Sequence, residues 1–292
     1  MMKNLKYLLG SMNSLRLIRI FFQKDKKIYL SYKFNIFLLF ISFGIYLSIL
    51  YFFSKLVNFN DFINQDTYFL YALIGIAIAD FCLSISSGIR NEIMTSRSNG
   101  TFEELIIAPY NPLIIILLMF VFPVFMALFR LLFYLILIII VSYYLVDISY
   151  TIKDFIIILF LIPISCLCYI GVGMISAAFV ISFDRGDPII YFNSAATFIL
   201  SGVFYPTSVL WPVLEYVSKF IPIKHVIEIS RSLAFDAVDY TTVNNGIMSL
   251  VLLSTIFIFI GLLACNLEDS FKDELKLFIG ETIYSDHNSQ KN

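Results

Sequence analysis

Apolar residues gather in six long runs along the chain, and short polar stretches separate each run from the next. A helix needs about 20 apolar residues to cross the hydrocarbon core of a bilayer, which is about 30 Å thick. Each run therefore predicts a transmembrane helix, and together they predict an all-α integral membrane protein with six transmembrane helices. The runs occupy roughly residues 35–54, 68–89, 115–146, 154–182, 189–206 and 247–265.

The third run is longer than one perpendicular crossing requires. It begins with LIIILLMFVFP, residues 113–123. We expect this part to lie along the inner interface, or to tilt into it, before the crossing itself starts after Pro123. Two spans divided at Pro123 are the alternative, although neither of them would then have a polar connector.

Residues 1–34 precede the first run and combine apolar with basic side chains. In LKYLLGSMNSLRLIRIFF, the apolar residues recur near helical spacing and the basic residues lie between them. This pattern is typical of an amphipathic helix on the anionic inner leaflet. A tail exposed to solvent is the alternative.

A segment at about 207–236, between the fifth and sixth runs, is too polar and too rich in proline to span, yet too apolar for a solvated loop. It predicts two short amphipathic helices, at about 212–221 and 224–235, each burying one face. Irregular backbone at membrane depth must pack on protein or line a cavity, so a re-entrant helix pair at the outer end of a pathway is expected. An interfacial pair anchored by Trp211 and Tyr216 is the alternative.

Composition agrees with a membrane protein, since 60% of the 292 residues are hydrophobic and 14% are charged. Soluble domains are typically about 45–50% apolar and about 25% charged. The four cysteines all lie in apolar runs, which indicates buried thiols without disulfide or metal-ligand spacing. They are Cys82, Cys166, Cys168 and Cys265.

Motifs of soluble enzymes are missing from the sequence. No Gly-Lys dipeptide occurs, so there is no phosphate-binding P-loop. Neither His225 nor His287 has a partner at metal or triad spacing. The sequence DRGDP, residues 184–188, is the nearest approach to a catalytic cluster, and ordinary turn chemistry accounts for it.

The basic residues predict the orientation, because cytoplasmic segments of membrane proteins carry an excess of Lys and Arg. Eight precede the first run, and six more fall on the same side of the membrane, against five on the opposite side. Both termini, including the tail 266–292, are therefore expected in the cytoplasm. The many Ile, Asn and Lys residues favour a prokaryotic plasma membrane. The fourteen residues on the inner side are Lys3, Lys6, Arg16, Arg19, Lys24, Lys26, Lys27, Lys33, Arg90, Arg97, Arg185, Lys272, Lys276 and Lys291.

Two charges fall within runs, Asp80 in the second and Arg130 in the third. Charge inside a membrane is expensive and by default marks a functional site. Both residues lie near the middle of their spans, so a buried pair is possible. Such a pair either locks two helices together or serves a substrate or proton.

The polar insert RSNGTFEELIIAPYNP, residues 97–112, lies between the second and third runs and faces the cytoplasm in this topology. Ser98 to Gly100 predict a turn, and Thr101 followed by Glu104 predicts a capping box. Pro109 ends the short helix that follows. An isolated helix of this length is unstable in water, so a membrane surface or a partner protein must hold it.

These motifs resemble the membrane subunits of ABC-2-type transporters. The family typically has a glutamate ahead of a G-T-L-E-x-L…P segment after its second span, and this chain has Glu92 followed by GTFEELIIAP. The family often shows S-G-x-x-F/Y-P and then L-P-x-x-H/Y-x-x-x-x-x-R, and this chain has SGVFYP and IPIKHVIEISRSL. The closest similarity is to the drug and nodulation-factor exporter branch.

The resemblance implies an ABC-2-type transmembrane domain at 35–265, with a coupling helix at about 100–109 that seats in a separate ATPase subunit. A second permease subunit would complete a homodimer or heterodimer, and ATP and Mg²⁺ would be used by the ATPase, leaving this chain without a cofactor and without nucleic acid. The residues implied in coupling are Glu92, Gly100, Thr101, Phe102, Glu103, Glu104, Leu105 and Pro109. Those implied in an outer gate are Ser201, Gly202, Tyr205, Pro206, Pro222, His225 and Arg231.

The function expected from these features is export of a hydrophobic, amphipathic or lipid-linked substrate, driven by the partner's ATP hydrolysis. The chain itself is then not an enzyme. A secondary carrier or channel is the alternative, and an integral membrane enzyme is a more remote one. The sequence does not identify the substrate.

Overall fold

A computed structural model of the chain describes residues 2–31, 33–56, 65–100, 112–146, 152–183, 188–235, 241 and 243–264. Regular structure in these ranges is entirely helical, which confirms the all-α prediction. The first five helices are α1 (Met2–Ser31), α2 (Lys33–Leu56), α3 (Gln65–Ser98), α4 (Pro112–Met119) and α5 (Val121–Val141). The remaining five are α6 (Ile152–Phe183), α7 (Pro188–Leu200), α8 (Pro212–Ser218), α9 (Pro222–Ala234) and α10 (Val243–Ala264).

Within the described residues, four helical stretches are long and apolar enough to cross a membrane. They are Thr67–Ser98, Leu117–Tyr144, Phe160–Ile181 and Val243–Ala264. Two shorter apolar helices, Phe43–Lys55 and Pro188–Leu200, coincide with the first and fifth predicted spans. The chain is therefore a multi-pass membrane protein, and the count of six crossings stays a prediction.

The long third run is interrupted at Phe120 rather than at Pro123. The N–H of Phe120 donates to the carbonyl of Leu117 at 3.2 Å, and α5 then begins at Val121. Pro123 consequently lies in the first turn of α5, where a missing N–H is tolerated. Gly88 of α3 lies against its ring, since a Cβ at position 88 would be 2.3 Å from the Pro123 Cβ. The break separates α4 from α5, and a π-helical turn, Ser142–Val146, follows α5.

Helix α3 is the centre of the fold and packs along α5 and α6, with α2 and α9 at its sides. Ile85, Ile89 and Ile93 recur every four residues on one face of α3 and are fully buried. This spacing places all three on the stripe that faces the neighbouring helices. We call the end of the bundle at which α3 begins the Trp211 end, and the end at which α3 finishes the Gly100 end.

Helix α1 extends over nearly all of the predicted N-terminal segment. Its second half packs on the start of α5 through aromatic rings, with Phe22 and Phe125 centroids 5.1 Å apart and Tyr29 and Phe122 centroids 5.8 Å apart. The side chains of residues 1–15 lie outside the described part, so the amphipathic face predicted there stays a prediction. The described contacts show that the helix is held to the bundle.

The two short helices predicted near 212–221 and 224–235 are present as α8 and α9. Helix α9 buries one apolar face, including Ile223, Ile227 and Leu233, against α3 and α6. Helix α8 differs from the expectation, because only Ser218 is buried in it. Its apolar side chains and the adjacent Trp211 point outward. Such exposed aromatic groups suit a membrane–water interface, so α8 fits the interfacial alternative and α9 the packed one.

Candidate functional site

The guanidinium of Arg231 ties α9 to α3 and to the loop after α7. Its Nη1 donates to the carbonyl of Gly202 at 2.7 Å, and Nη2 donates to those of Val203 at 2.6 Å and Tyr71 at 2.9 Å. Nε also donates to Tyr71, at 3.1 Å, and the group lies 3.4 Å from the centre of the Tyr71 ring. Gly202 and Val203 lie in the loop, where their carbonyls have no helical partners, and the guanidinium satisfies them. Only 7% of Arg231 is exposed.

Glycines on both sides of Arg231 make this close approach possible. Gly202 has a φ of +75°, a left-handed conformation that side chains other than glycine adopt at a cost. A Cβ at Gly75 of α3 would lie 2.5 Å from the Val203 carbonyl oxygen and 2.6 Å from Nη2 of Arg231. Gly75, Tyr71 and the Tyr68 hydroxyl, which donates to the Phe204 carbonyl at 3.0 Å, were not predicted from the sequence. The one signal in the sequence is the four-residue spacing of Tyr71 and Gly75, which places them on the same face of a helix.

The other residues implied in a gate lie around the same loop. The hydroxyl of Ser201 donates to the carbonyl of Thr197, and that of Tyr205 donates to the carbonyl of Ile199. Pro206 precedes a short 3₁₀ turn, Thr207–Val209. Pro222 occupies the first turn of α9, and His225 Nε2 lies 3.0 Å from the Lys219 carbonyl oxygen. The structure thus brings the whole implied set to the Trp211 end of the bundle.

Asp80 and Arg130 lie in contact between α3 and α5. Arg130 Nη1 is 3.3 Å from Asp80 Oδ1, and its Nη2 donates to the Ser84 hydroxyl, one turn beyond Asp80. Each side chain keeps 30% of its surface exposed, because the pair lies on the wall of a cavity that also borders α2 and α7. Ser84 was not singled out from the sequence, since one serine among many in α3 carries no signal.

Glu92, which the resemblance implies in coupling, already has a partner in the chain. It accepts a hydrogen bond at 2.8 Å from Lys24 of α1, and Lys24 also lies 3.1 Å from its neighbour Asp25. Asp25 is only 5% exposed. Burial and then the charge of Glu92 raise its pKa from 3.8 to about 6, against the opposite effect of Lys24. These three side chains join α1 to the last turns of α3.

The described chain stops at the start of the predicted coupling segment. Gly100 has a φ of +69°, and the N–H groups of Asn99 and Gly100 donate to the carbonyls of Thr95 and Arg97. This geometry is a glycine-ended helix terminus and places the turn predicted at Ser98 to Gly100. The remaining residues implied in coupling lie outside the described residues; they are Thr101, Phe102, Glu103, Glu104, Leu105 and Pro109.

The described residues contain no cluster of three His, Cys, Asp or Glu side chains that would suit a metal ion. Cys82 and Cys168 are fully buried in the core around α3 and α6. Arg97, near the end of α3, donates to the carbonyl of Ile181 in α6 at 3.0 Å. The polar side chains described above therefore join helices at the two ends of the bundle, and Asp80 and Arg130 lie on the wall of the cavity.

Residues 17–235, from α1 through α9, match the family model of ABC-2 type transporters. The match covers about three quarters of the chain and contains the Arg231 cluster, the Asp80–Arg130 pair and Glu92. No curated protein matches the chain. The chain belongs to the ABC-2 type transporter family and is the membrane-spanning permease of such a transporter.

Proposed function

We propose that this permease exports an amphipathic or lipid-linked substrate from the cytoplasm, driven by ATP that a separate nucleotide-binding subunit hydrolyses. The family match over residues 17–235 carries the proposal, because permeases of this family typically work with an ATPase subunit. ATP and Mg²⁺ belong to that partner in this scheme. In the same proposal, the permease belongs to the branch of drug and nodulation-factor exporters.

The ATPase acts at the Gly100 end. The segment at about 100–109 forms the coupling helix, with Glu103 and Glu104 directed at basic groups of the ATPase. Glu92 and Lys24 support this assignment, since their contact joins α1 to the end of α3 and lets both helices move together. The excess of Lys and Arg supports a cytoplasmic position for this end.

The Trp211 end acts as the outer gate. Arg231 holds the loop 201–204 onto α3 by contacts to three carbonyl groups. Tilting of α3 relative to α9 would break these contacts together, which favours two discrete states over a gradual change. A second permease subunit, identical or related, completes the pathway.

Replacement of both Glu103 and Glu104 by lysine tests the coupling assignment. Reversal of two charges is expected to abolish recovery of the ATPase with the affinity-tagged permease while membrane insertion is unchanged, because like charges across an interface oppose binding by several kcal/mol. The matched control is Glu281→Lys with Asp286→Lys in the C-terminal tail, which makes the same change of charge elsewhere on the same predicted side.

Transport measured in vesicles distinguishes this function from a secondary carrier. We expect substrate movement to stop when ATP is removed and to persist when an ionophore collapses the ion gradients. Recovery of the native permease without any ATPase, together with transport by the chain alone, would contradict the proposal.

A further inference from the structure

A cavity of about 590 Å³ opens between α2, α3, α5 and α7. Ligand sites for small molecules typically measure about 300–1,000 Å³ and combine an apolar wall with a few polar groups. This cavity has that composition. Its polar groups are Asp80 and Arg130, and apolar or aromatic side chains surround them.

The aromatic wall comes from several elements. Phe43, Tyr46 and Phe53 of α2 line it together with Tyr134 of α5, whose ring centroid is 4.8 Å from that of Phe43. Phe198 of α7 and Phe204 of the following loop also line it. Rings of this kind offer a broad apolar surface without hydrogen-bonding demands on their faces. The wall therefore suits the apolar body of an amphipathic molecule.

The ion pair on this wall is only partly satisfied by the protein. Its one contact of 3.3 Å joins a single guanidinium nitrogen to a single carboxylate oxygen, where a paired fork would use two. Arg130 Nε is buried without a hydrogen-bond partner. Both side chains nevertheless keep surface toward the cavity, so one carboxylate and one guanidinium are available to a ligand.

The signs of these two charges select the ligand. A polar group with net negative charge is attracted by Arg130 and repelled by Asp80 a few ångströms away, and a cationic group meets the reverse. In surroundings of low dielectric neither repulsion is screened. A polar group that carries both charges satisfies both residues.

We infer that this cavity binds a zwitterionic amphiphile, its cationic group on Asp80, its anionic group on Arg130 and its apolar body along the aromatic wall. The inference rests on the proposed export function, for which it names the substrate class. The headgroup chemistry is that of an ammonium joined to a phosphate, as in phosphatidylethanolamine.

Photo-crosslinking of the purified permease in nanodiscs tests the inference without any ATPase. The discs consist of phosphatidylglycerol, and a trace of probe lipid carries a diazirine on its acyl chain and either an ethanolamine or a glycerol headgroup. Crosslinked residues are mapped by mass spectrometry. We expect the ethanolamine probe to label the cavity-lining residues of α2 and α5 about tenfold more than the glycerol probe, because the glycerol headgroup brings only negative charge against Asp80.

A cavity-filling variant supplies the decisive comparison and leaves the ion pair intact. Ile49 lines the cavity, whereas Ile45, four residues earlier on α2, does not, and both side chains are more than half exposed. Ile49→Trp is expected to lower the labelling by about tenfold through loss of space, and Ile45→Trp is the matched control. Asp80→Asn is expected to remove the preference for the ethanolamine probe.

Equal cavity labelling of the wild type and Ile49→Trp would overturn the site. Equal or stronger labelling by the glycerol probe would overturn the headgroup class, leaving a structural ion pair beside a general lipid groove. The two proposals also fail separately. A permease that passes these tests but recruits no ATPase contradicts the export function alone, and one that exports with ATP but shows no cavity labelling contradicts this inference alone.

Discussion

At the scale of single residues, the geometry around Arg231 shows how one buried cation replaces helical hydrogen bonding. The loop 201–204 leaves the helix α7, so its carbonyl groups need new donors. The planar guanidinium supplies several N–H groups in fixed directions, and those of Arg231 reach Gly202, Val203 and Tyr71. The resemblance pointed to Arg231, but its acceptors are backbone atoms, which no residue pattern identifies.

Arg231→Lys is expected to destabilise the protein although the charge is kept. A lysine ammonium is a compact donor that cannot reach three carbonyl groups from the same position. Each buried carbonyl left without a partner costs about 1–3 kcal/mol. Thermal unfolding in detergent should show a clear loss of Tm, whereas the reverse exchange at the exposed Lys219, Lys219→Arg, should leave it unchanged. An unaltered Tm for Arg231→Lys would mean that the loop is held by other contacts.

Gly75→Ala tests the close approach from the opposite side. The added methyl would lie within 2.6 Å of both the Val203 carbonyl oxygen and Arg231 Nη2, so α3 and the loop must separate. Overpacking of this kind typically costs about 1–3 kcal/mol. Gly44→Ala is the matched control in α2, where a Cβ has nothing within 4 Å. We expect the control to hold or raise Tm, since alanine favours helix by up to about 1 kcal/mol, and the Gly75 variant to lower it.

At the scale of helices, hydrophobic patterning located most elements but misplaced the break within the third run by a few residues. The runs at 68–89 and 154–182 correspond to α3 and α6, and both short helices near the Trp211 end were expected. A break in the third run was expected at Pro123, and its position at Phe120 was not, because an apolar residue in an apolar run gives no local signal. It depends on tertiary packing: Phe120 lies against Gly173 of α6, where a Cβ would be 2.8 Å from its ring.

The attachment of α1 to α3 could not be predicted from the sequence either. Eight basic residues precede the first run, and no pattern shows that Lys24 is the one that meets Glu92 or that Asp25 is buried beside them. This contact bears on the pH response of the N-terminal helix, because Asp25 is a buried carboxyl group whose pKa is raised.

Asp25→Asn is expected to stabilise the attachment of α1 at neutral pH. The pKa of Asp25 is raised from 3.8 to about 6 by burial and by Glu92. A raised carboxyl pKa means that the folded state holds the proton more tightly, so stability falls as pH rises from about 4 to about 6 and stays lower above it. Asparagine resembles the protonated form and removes this loss. The gain in Tm should therefore be larger at about pH 7.5 than at about pH 4.

The control for this comparison is Glu215→Gln, which removes a carboxylate from α8 at the Trp211 end. Glu215 lies outside the cluster of Lys24, Asp25 and Glu92, so this variant should not reproduce the gain. If Asp25→Asn lowers Tm at neutral pH instead, the ionised carboxylate stabilises α1. The attraction of Lys24 then outweighs the cost of burying the charge.

At the scale of the whole molecule, the bundle has two polar ends and an apolar surface between them. Which end faces the cytoplasm decides where an ATPase can bind. The described α2, α5 and α10 expose many large apolar side chains, among them Phe52, Leu132 and Phe259, as expected where helices face lipid. The ends differ in their chemistry. Lys24, Asp25 and Glu92 gather at one, and the Arg231 cluster lies at the other.

The distribution of Lys and Arg predicts that the Gly100 end faces the cytoplasm, and labelling of single cysteines tests this directly. In a protein with the four native cysteines replaced by alanine, Asn99→Cys and Ser208→Cys place one thiol at each end, and both positions are exposed. A maleimide that cannot cross membranes, added to intact cells, should label Ser208→Cys and should reach Asn99→Cys only after the cells are opened. The reverse pattern would move the segment at about 100–109 to the outside, where no cytoplasmic ATPase could meet it. Labelling of both positions in intact cells would show instead that the two ends share one side. That requires an even number of crossings between residues 99 and 208, where the six-span topology has three.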